Sequence, residues 1–230
     1  MELLDDPAIP FEDIRLNMRE LNIVNTYLGG HNISIKGLIT ILSAHKKNQP
    51  ITICEIGCGD GNNLKAVYQW CLKNNIKANL TGIDIKPACI KFAQQQHPAL
   101  PAEWIRSDYK DVDFRDKKPE IIFSSLFCHH FTNDELVQML QWMKAGARMG
   151  FFINDLHRHW LAYYSIKWIT GIFSSSYLVK NDAPVSVTRG FKLKEWKKLF
   201  QQAGIPDYSI EWKWAFRHLI TYIHERQQTL

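Results

Sequence analysis

The 230-residue chain has little of what a disulfide framework or a structural zinc site requires. Its cysteines are few and odd in number, and no two of them are spaced as Cys-x-x-Cys. The five are Cys54, Cys58, Cys71, Cys89 and Cys128. Disulfide frameworks and zinc sites use paired or regularly spaced cysteines, so neither is expected to organise this fold. Free thiols are typical of a reducing compartment, which favours a cytoplasmic location.

Long apolar segments are missing as well. The longest apolar stretch, residues 160–173, is too short to span a bilayer and contains Lys167. The first residues, Met-Glu-Leu-Leu-Asp-Asp-Pro, are acidic and unlike a signal peptide. We therefore expect a cytoplasmic protein with no stable membrane insertion.

Neither sign of charge dominates the chain. It has 28 Lys and Arg against 23 Asp and Glu, a net charge of +5. The densest basic cluster, residues 192–198, has the spacing of a solvated helix face. A small-molecule partner is therefore favoured over nucleic acid, and the charge predicts no oligomeric state.

One stretch, residues 51–64, carries a recognisable pattern. An apolar run with β propensity is followed by Gly57, Gly59 and Gly61, and then by a helical segment. Strand, glycine turn and helix are the opening of a nucleotide-binding βαβ unit. A dinucleotide fingerprint has a third glycine where this chain has Asn62. The carboxylates that flank the turn suit a cationic ligand better than a pyrophosphate, because opposite charges attract.

The sequence Glu-Ile-Gly-Cys-Gly-Asp-Gly-Asn resembles the first motif of class I S-adenosylmethionine-dependent methyltransferases. The resemblance covers residues 51–155 and 192–223. Leu-Gly-Gly-His and Asn-Asp-Leu-His-Arg-His also resemble segments of bacterial small-molecule methyltransferases. The family implies S-adenosyl-L-methionine as cofactor and an α/β fold. That fold is a Rossmann-like, mostly parallel seven-stranded sheet with an antiparallel last strand, N-terminal helices and a helical cap insertion.

The predicted parts of a single methyltransferase domain follow from hydrophobic periodicity and turn signals. They are N-terminal helices (1–49), a cofactor-binding core (50–156), a cap insertion (157–190), and a closing helix and hairpin (191–230). Helices are predicted over 11–28, 35–46, 64–70, 87–96, 135–144 and 192–203. Ser34 is the expected cap of the second helix, and residues 48–50 are expected to end it. Strands are predicted over 51–56, 78–84, 102–106, 120–125, 148–154, 208–212 and 216–223.

The expected cofactor-binding residues are those of the glycine turn and of the following strand ends. They are Glu55, Gly57, Cys58, Gly59, Gly61, Asn62, Asp84, Ile85, Asp108, Tyr109 and Ser125. A carboxylate at position 84 can accept both ribose hydroxyls at once. The resemblance places an aspartate that binds the adenine amino group at Asp108. His31 is interpreted as a loop histidine.

The candidate catalytic residues are His129, His130 and Asp155. The histidines follow the fourth strand, where a neutral imidazole can accept a proton from a phenol or hydroxyl. One of the two is expected to be structural, and His130 is favoured for catalysis. Catechol methyltransferases that bind a cation use an aspartate after the fourth strand, but Ser124 and Ser125 stand there. We therefore predict no metal site.

The cap is the part of the chain that departs most from the family. Trp160, Tyr164 and Trp168 recur at every fourth position and form one aromatic helix face. Such a stripe indicates either core or a cover over the acceptor. The position of the insertion favours the cover, so His157, Trp160 and Tyr164 are the candidate substrate-binding residues.

These observations favour methyl transfer to a small aromatic or apolar acceptor, with O-methylation preferred over C-methylation. Two alternatives stay open. One is a non-catalytic subunit that binds S-adenosylmethionine. The other is a nicotinamide-dependent oxidoreductase, which Asn62 disfavours.

Overall fold

The computed structural model describes residues 2–5, 8–43 and 50–225. The strands in this part of the chain are β1 (Ile51–Ile56), β2 (Ala78–Asp84), β3 (Ala102–Arg106), β4 (Ile121–Ser125), β5 (Gly150–Leu156), β6 (Tyr208–Lys213) and β7 (Arg217–Ile223). The α-helices are α1 (Phe11–Tyr27), α2 (Gly30–Leu42), α3 (Asn62–Lys73), α4 (Pro87–Gln96), α5 (Asn133–Gly146), α6 (Trp160–Phe173), α7 (Tyr177–Arg189) and α8 (Leu193–Gln202). Short 3-10 helices cover Leu3–Asp5, Tyr109–Asp111 and Cys128–His130.

All seven strands form one sheet in the order β3-β2-β1-β4-β5-β7-β6. The pairs from β3 to β5 are parallel, whereas β7 is antiparallel to both of its neighbours. This topology confirms the predicted fold. The strand order reverses between β1 and β4, and ligands of open α/β sheets bind at the carboxyl ends of the strands at such a point.

Two apolar layers cover the sheet. On one face, α2 and α3 pack on a cluster in which the rings of Phe123 and Phe152 stack 4.7 Å apart. On the other face, α5 and α8 pack on a cluster that contains the fully buried Trp196. Residues that alternate along β5 therefore serve opposite cores, as the period of a strand requires.

The boundary between α1 and α2 differs from the prediction. Gly29 adopts φ +75°, a left-handed conformation that glycine tolerates, so α1 ends and α2 begins at Gly30 with almost no loop between them. The predicted start near residue 35 is wrong. Ser34 lies inside the helix, where its Oγ accepts a hydrogen bond from Asn154 Nδ2 (3.2 Å) instead of capping a helix end. The predicted end of this helix, and the stop at residues 48–50 apart from Pro50, lie outside the described residues.

The cap consists of two helices, α6 and α7, packed on each other. α7 also contacts α1 and the end of β5, while the aromatic face of α6 is turned to solvent. Trp160, Tyr164 and Trp168 are 68%, 62% and 66% exposed. Among the described helices, none is long and apolar enough to cross a membrane.

Candidate active site

A cavity of about 160 Å³ opens at the carboxyl ends of β1 and β4, where the strand order reverses. Its wall on the N-terminal side is formed by Met18, Leu21, Asn22, Asn25 and His31. On the sheet side it is formed by Glu55, Gly57, Cys58, Gly59, Asp60, Asn62, Asn63, Ser125 and Leu126. Six of the predicted cofactor-binding residues therefore line one cavity: Glu55, Gly57, Cys58, Gly59, Asn62 and Ser125.

Glu55, the next-to-last residue of β1, is a buried carboxylate with one unused oxygen. Its Oε1 accepts a hydrogen bond from Asn63 Nδ2 (2.8 Å), whereas Oε2 has no partner among the described residues. Burial raises its pKa to about 8, although the hydrogen bond from Asn63 opposes that shift. A buried carboxylate gains most from a positive ligand that replaces lost hydration. The ammonium and sulfonium groups of S-adenosylmethionine fit this requirement.

His31 connects the cavity wall to the N-terminal helices. Its Nδ1 lies 3.2 Å from Asn63 Oδ1 and its Nε2 lies 3.0 Å from Asn22 Oδ1. Burial lowers the pKa of His31, while the hydrogen bond to Asn63 raises it. A neutral imidazole has one N–H, so Nδ1 donates to Asn63 and the Asn22 amide is turned to offer its NH₂ to Nε2. His31 is therefore a wall residue in α2, and its interpretation as a loop histidine is wrong.

The glycine turn is held by Asp84 at the end of β2. Its Oδ2 accepts a hydrogen bond from Gly59 N (2.9 Å) and its Oδ1 accepts one from Lys86 N (2.9 Å). A Cβ at Gly57 would lie 2.2 Å from the Phe127 ring, but one at Gly59 would meet no atom within 4 Å. Gly57 thus serves packing, and Gly59 leaves the backbone open to a ligand. Burial raises the pKa of Asp84, while its hydrogen bonds lower it.

The other predicted adenosine contacts lie beyond this cavity. Ile85 is 62% exposed after β2, and Asp108 caps a 3-10 helix by accepting a hydrogen bond from Lys110 N (3.1 Å). Gly61 adopts φ +75° and packs under Trp104. Tyr109 is only 3% exposed and belongs to the core beside α5. Its expected place beside a ligand is not what the structure shows, because its ring packs edge-on against Phe127.

His129 and Asp155 form a buried pair. His129 Nδ1 lies 2.8 Å from Asp155 Oδ1, and both side chains are nearly inaccessible. Asp155 also accepts hydrogen bonds from the backbone N–H groups of Phe127 (3.1 Å), Cys128 (2.7 Å) and Leu156 (2.7 Å). Burial would raise the pKa of Asp155, but His129 and the hydrogen bonds hold it below its ordinary value. This pair fixes the turn after β4 against β5, and neither residue lines the cavity.

His130 is the more accessible of the two histidines, with 28% of its side chain exposed. Its Nδ1 lies 3.7 Å from Glu2 Oε2, and Glu2 Oε1 accepts a hydrogen bond from Ser186 Oγ (2.9 Å). Glu2, His129 and His130 can each bring one donor atom within 4.8 Å of the other two. Arg189 also lies 3.5 Å from Glu2, which counts against a divalent cation there. The absence of a metal site stays a prediction.

The predicted substrate-binding residues of the cap lie away from the cavity. His157 accepts a hydrogen bond from Trp212 Nε1 (3.2 Å) and packs on His218, beside the β6–β7 hairpin. Trp160 and Tyr164 occupy the exposed face of α6. The expectation that they cover the acceptor is not met in this structure, because the inner face of α6 is formed by other residues, such as Ala162 and Thr170.

Residues 53–150 match the family model of a methyltransferase domain. This segment is a methyltransferase domain. It holds the glycine turn, Asp84, Asp108 and both histidines, so the predicted motif and the family match coincide.

Solved structures share the architecture of the whole chain. The plantazolicin methyltransferase BpumL, in complex with SAH, superposes with a TM-score of 0.73 at 18% identity, over 97% of this chain and 92% of its own. Magnesium protoporphyrin IX methyltransferase (ChlM) from Synechocystis PCC 6803 superposes with a TM-score of 0.55 at 16% identity, over 96% and 90%. At these identities the likeness shows a common fold.

Curated relatives match the methyltransferase domain over a short segment. Malonyl-[acyl-carrier protein] O-methyltransferase from Anoxybacillus flavithermus is 33% identical over 78 residues, 34% of this chain and 29% of the relative. A probable phthiotriol/phenolphthiotriol dimycocerosates methyltransferase from Mycobacterium ulcerans is 26% identical over 72 residues, 31% of this chain and 26% of the relative. The matched segments thus span less than a third of either relative.

Sequence reasoning missed several wall residues. Asn22 and Asn25 come from α1, and Asn63 follows the glycine turn at the start of α3. The amphipathic pattern of α1 gave no sign of them, since an asparagine on a helix is ordinarily a surface residue. The signal that was available is Asn62-Asn63 directly after Gly61, where Asn63 faces Glu55.

Proposed function

We propose that this chain is an S-adenosylmethionine-dependent methyltransferase that acts on a small aromatic or apolar acceptor. The observation that carries the proposal is the unpartnered, buried Glu55 oxygen in a cavity beside an open glycine turn. A pyrophosphate would meet the negative charges of Glu55 and Asp60 there, whereas a cationic ligand is attracted by them. The matched methyltransferase domain supports the same conclusion.

The bound cofactor would supply a methyl group already activated on a positively charged sulfur. Glu55 would balance positive charge, and Asp84 would hold Gly59 in place while its remaining lone pairs accept the ribose hydroxyls. The protein's main contribution would then be alignment of the acceptor with the methyl group, which is a proximity effect.

O-methylation is favoured over C-methylation. The relatives of this fold include enzymes named for either outcome, an O-methyltransferase and a carbon methyltransferase. His130 offers a partly exposed imidazole for the proton of a hydroxyl acceptor. A carboxylic acid or phenol is therefore the proposed acceptor group.

Titration calorimetry with S-adenosylhomocysteine and, separately, with NADH tests the cofactor. We expect binding of the first and none of the second. Binding of NADH alone would replace the proposal with a nicotinamide-dependent oxidoreductase. Incubation of small-molecule extracts with labelled S-adenosylmethionine then tests turnover, and binding without any labelled product would favour a non-catalytic subunit.

A further inference from the structure

Arg217, the first residue of β7, is a buried cation beside the cavity. It is 3% exposed, and its Nη2 donates a hydrogen bond to Asn25 Oδ1 (2.9 Å). Asn25 lines the cavity, and the charge of Arg217 also lowers the pKa of the wall residue His31. The guanidinium is therefore next to the site and on the opposite side of its wall from solvent.

Most of the donors of this guanidinium are unused. Nε and Nη1 are buried and have no hydrogen-bond partner among the described residues. Asp155 contributes a favourable charge, but its oxygens already accept hydrogen bonds from His129 and from three backbone N–H groups. Burial lowers the pKa of Arg217 to about 10, so the group still carries its charge at neutral pH.

An unpaired buried charge is costly, and buried arginines are ordinarily paired with a carboxylate. A structural role for Arg217 would place such a partner in the protein. The single partner found is the neutral Asn25 amide. A group that is left unsatisfied next to a ligand cavity indicates a ligand that satisfies it.

The chain makes room for this arrangement at Gly30. A Cβ at position 30 would lie 1.8 Å from Asn25 Oδ1, the atom that accepts the hydrogen bond from Arg217. The close approach of α2 to the Asn25 amide therefore depends on the missing side chain. The Gly29-Gly30 pair thus positions Arg217's partner as well as ending α1.

We propose that Arg217 binds a carboxylate of the ligand through its unpaired donors. With Glu55 on the sheet side, the site would offer one buried anion and one buried cation, the complement of a zwitterion. The carboxylate has two possible sources: the methionine part of the cofactor, or an acidic acceptor. The proposal rests on the proposed function, since both sources belong to methyl transfer.

The test compares Arg217→Met with wild type and with Arg158→Met, a control that removes a partly exposed arginine paired with Glu195. Calorimetry is done with S-adenosylhomocysteine and with 5′-methylthioadenosine, which lacks the amino-acid part. If the cofactor supplies the carboxylate, Arg217→Met weakens S-adenosylhomocysteine about ten- to a hundredfold, the effect of hydrogen bonds to a charged group. Methylthioadenosine affinity stays unchanged, and Arg158→Met changes neither.

If the acceptor supplies the carboxylate, S-adenosylhomocysteine affinity is kept. Benzoate, titrated into protein saturated with S-adenosylhomocysteine, then binds wild type and binds Arg217→Met about tenfold less tightly. Unchanged affinity for both probes in Arg217→Met overturns the proposal. If wild type binds no S-adenosylhomocysteine, the proposed function fails instead, and the two failures are therefore distinguishable.

Melting of the ligand-free proteins separates binding from structure. A ligand-binding Arg217 leaves an unsatisfied charge in the free protein, so Arg217→Met should melt at the same temperature as wild type or higher. A clear fall in the melting temperature would show that the arginine holds the fold, and would overturn the proposal.

Discussion

Glu55 and Asp84 are carboxylates at neighbouring strand ends, yet their surroundings differ. Asp84 accepts two backbone hydrogen bonds, whereas Glu55 receives one side-chain hydrogen bond and keeps Oε2 unpaired. Burial raises the pKa of both, and for Glu55 it reaches about 8. Asp84 is therefore a positioning group for the turn, while Glu55 is the residue whose charge state a ligand can change.

Glu55 should make stability depend on pH. Its folded pKa of about 8 exceeds the ordinary value of 4.5, so the folded state holds the proton that the unfolded state loses. The free energy of unfolding should therefore fall as pH rises from 4.5 towards 8. Glu55→Gln should remove this part of the dependence, which denaturant titrations at several pH values measure. Parallel pH curves for the two proteins would contradict the assignment.

Asp84→Ala should weaken S-adenosylhomocysteine by roughly 1.5–3 kcal/mol, the scale of hydrogen bonds to a charged group. Part of this loss would come from Gly59, whose N–H loses its acceptor. Calorimetry measures the change, and Asp108→Ala offers a comparison at the next strand end. Unchanged affinity would remove Asp84 from the site.

His130→Ala should lower kcat by roughly 10²–10⁴-fold for a neutral hydroxyl acceptor, because the proton then lacks its base. Cofactor affinity should stay at the wild-type value. Raising the pH until the acceptor is ionised should restore much of the rate, since no proton is left to transfer. A variant that melts earlier but keeps its kcat would identify His130 as structural.

At the scale of whole elements, β2, α4 and β3 have the bounds that the sequence predicts. Their ends are marked locally: Pro87 begins α4, and Asp84 closes β2 after an apolar run. The start of α2 was wrong because a glycine pair stops one helix without showing how soon the next begins. The Asn25–Arg217 contact joins residues 192 positions apart, and no local pattern encodes a pairing of that kind.

The exposed face of α6 should contribute little to stability. Trp160→Ala and Tyr164→Ala should each change the free energy of unfolding by less than about 1 kcal/mol, as surface substitutions do. Trp196→Ala is the contrasting variant, because Trp196 is fully buried and its truncation should cost about 3–5 kcal/mol. Melting curves and denaturant titrations measure both.

Kinetics of the same α6 variants test the cap. A rise in KM for the acceptor, with cofactor affinity kept, would show that α6 closes over the acceptor during turnover. Unchanged KM in both variants would remove Trp160 and Tyr164 from the acceptor site, in agreement with their exposure in this structure.

At the scale of the whole molecule, the cavity is assembled from distant parts of the chain. The glycine turn and the strand ends, which the sequence identifies, form one side, and α1 and α2 form the other. The sequence identified the first side because turns and strand ends carry local signals. The second side depends on how α1 lies across the sheet edge, which tertiary packing decides.

Activity should be unchanged in excess EDTA, because serines occupy the position after β4 where a cation-dependent relative would have a carboxylate. Glu2, His129 and His130 give this prediction a specific alternative. Loss of activity on chelation, restored by zinc in wild type but not in Glu2→Gln, would contradict it and would place the ion at those three residues.

The contact between Gly30 and Asn25 makes substitutions at three positions interdependent. A methyl group at position 30 collides with the amide that Arg217 binds, so Gly30→Ala should be harmful in the wild-type background. The same change should be much milder once Asn25→Ala has removed the amide. In a mutational scan, positions 25, 30 and 217 would thus show epistasis, and a chain that lost the arginine would be free to vary at the other two.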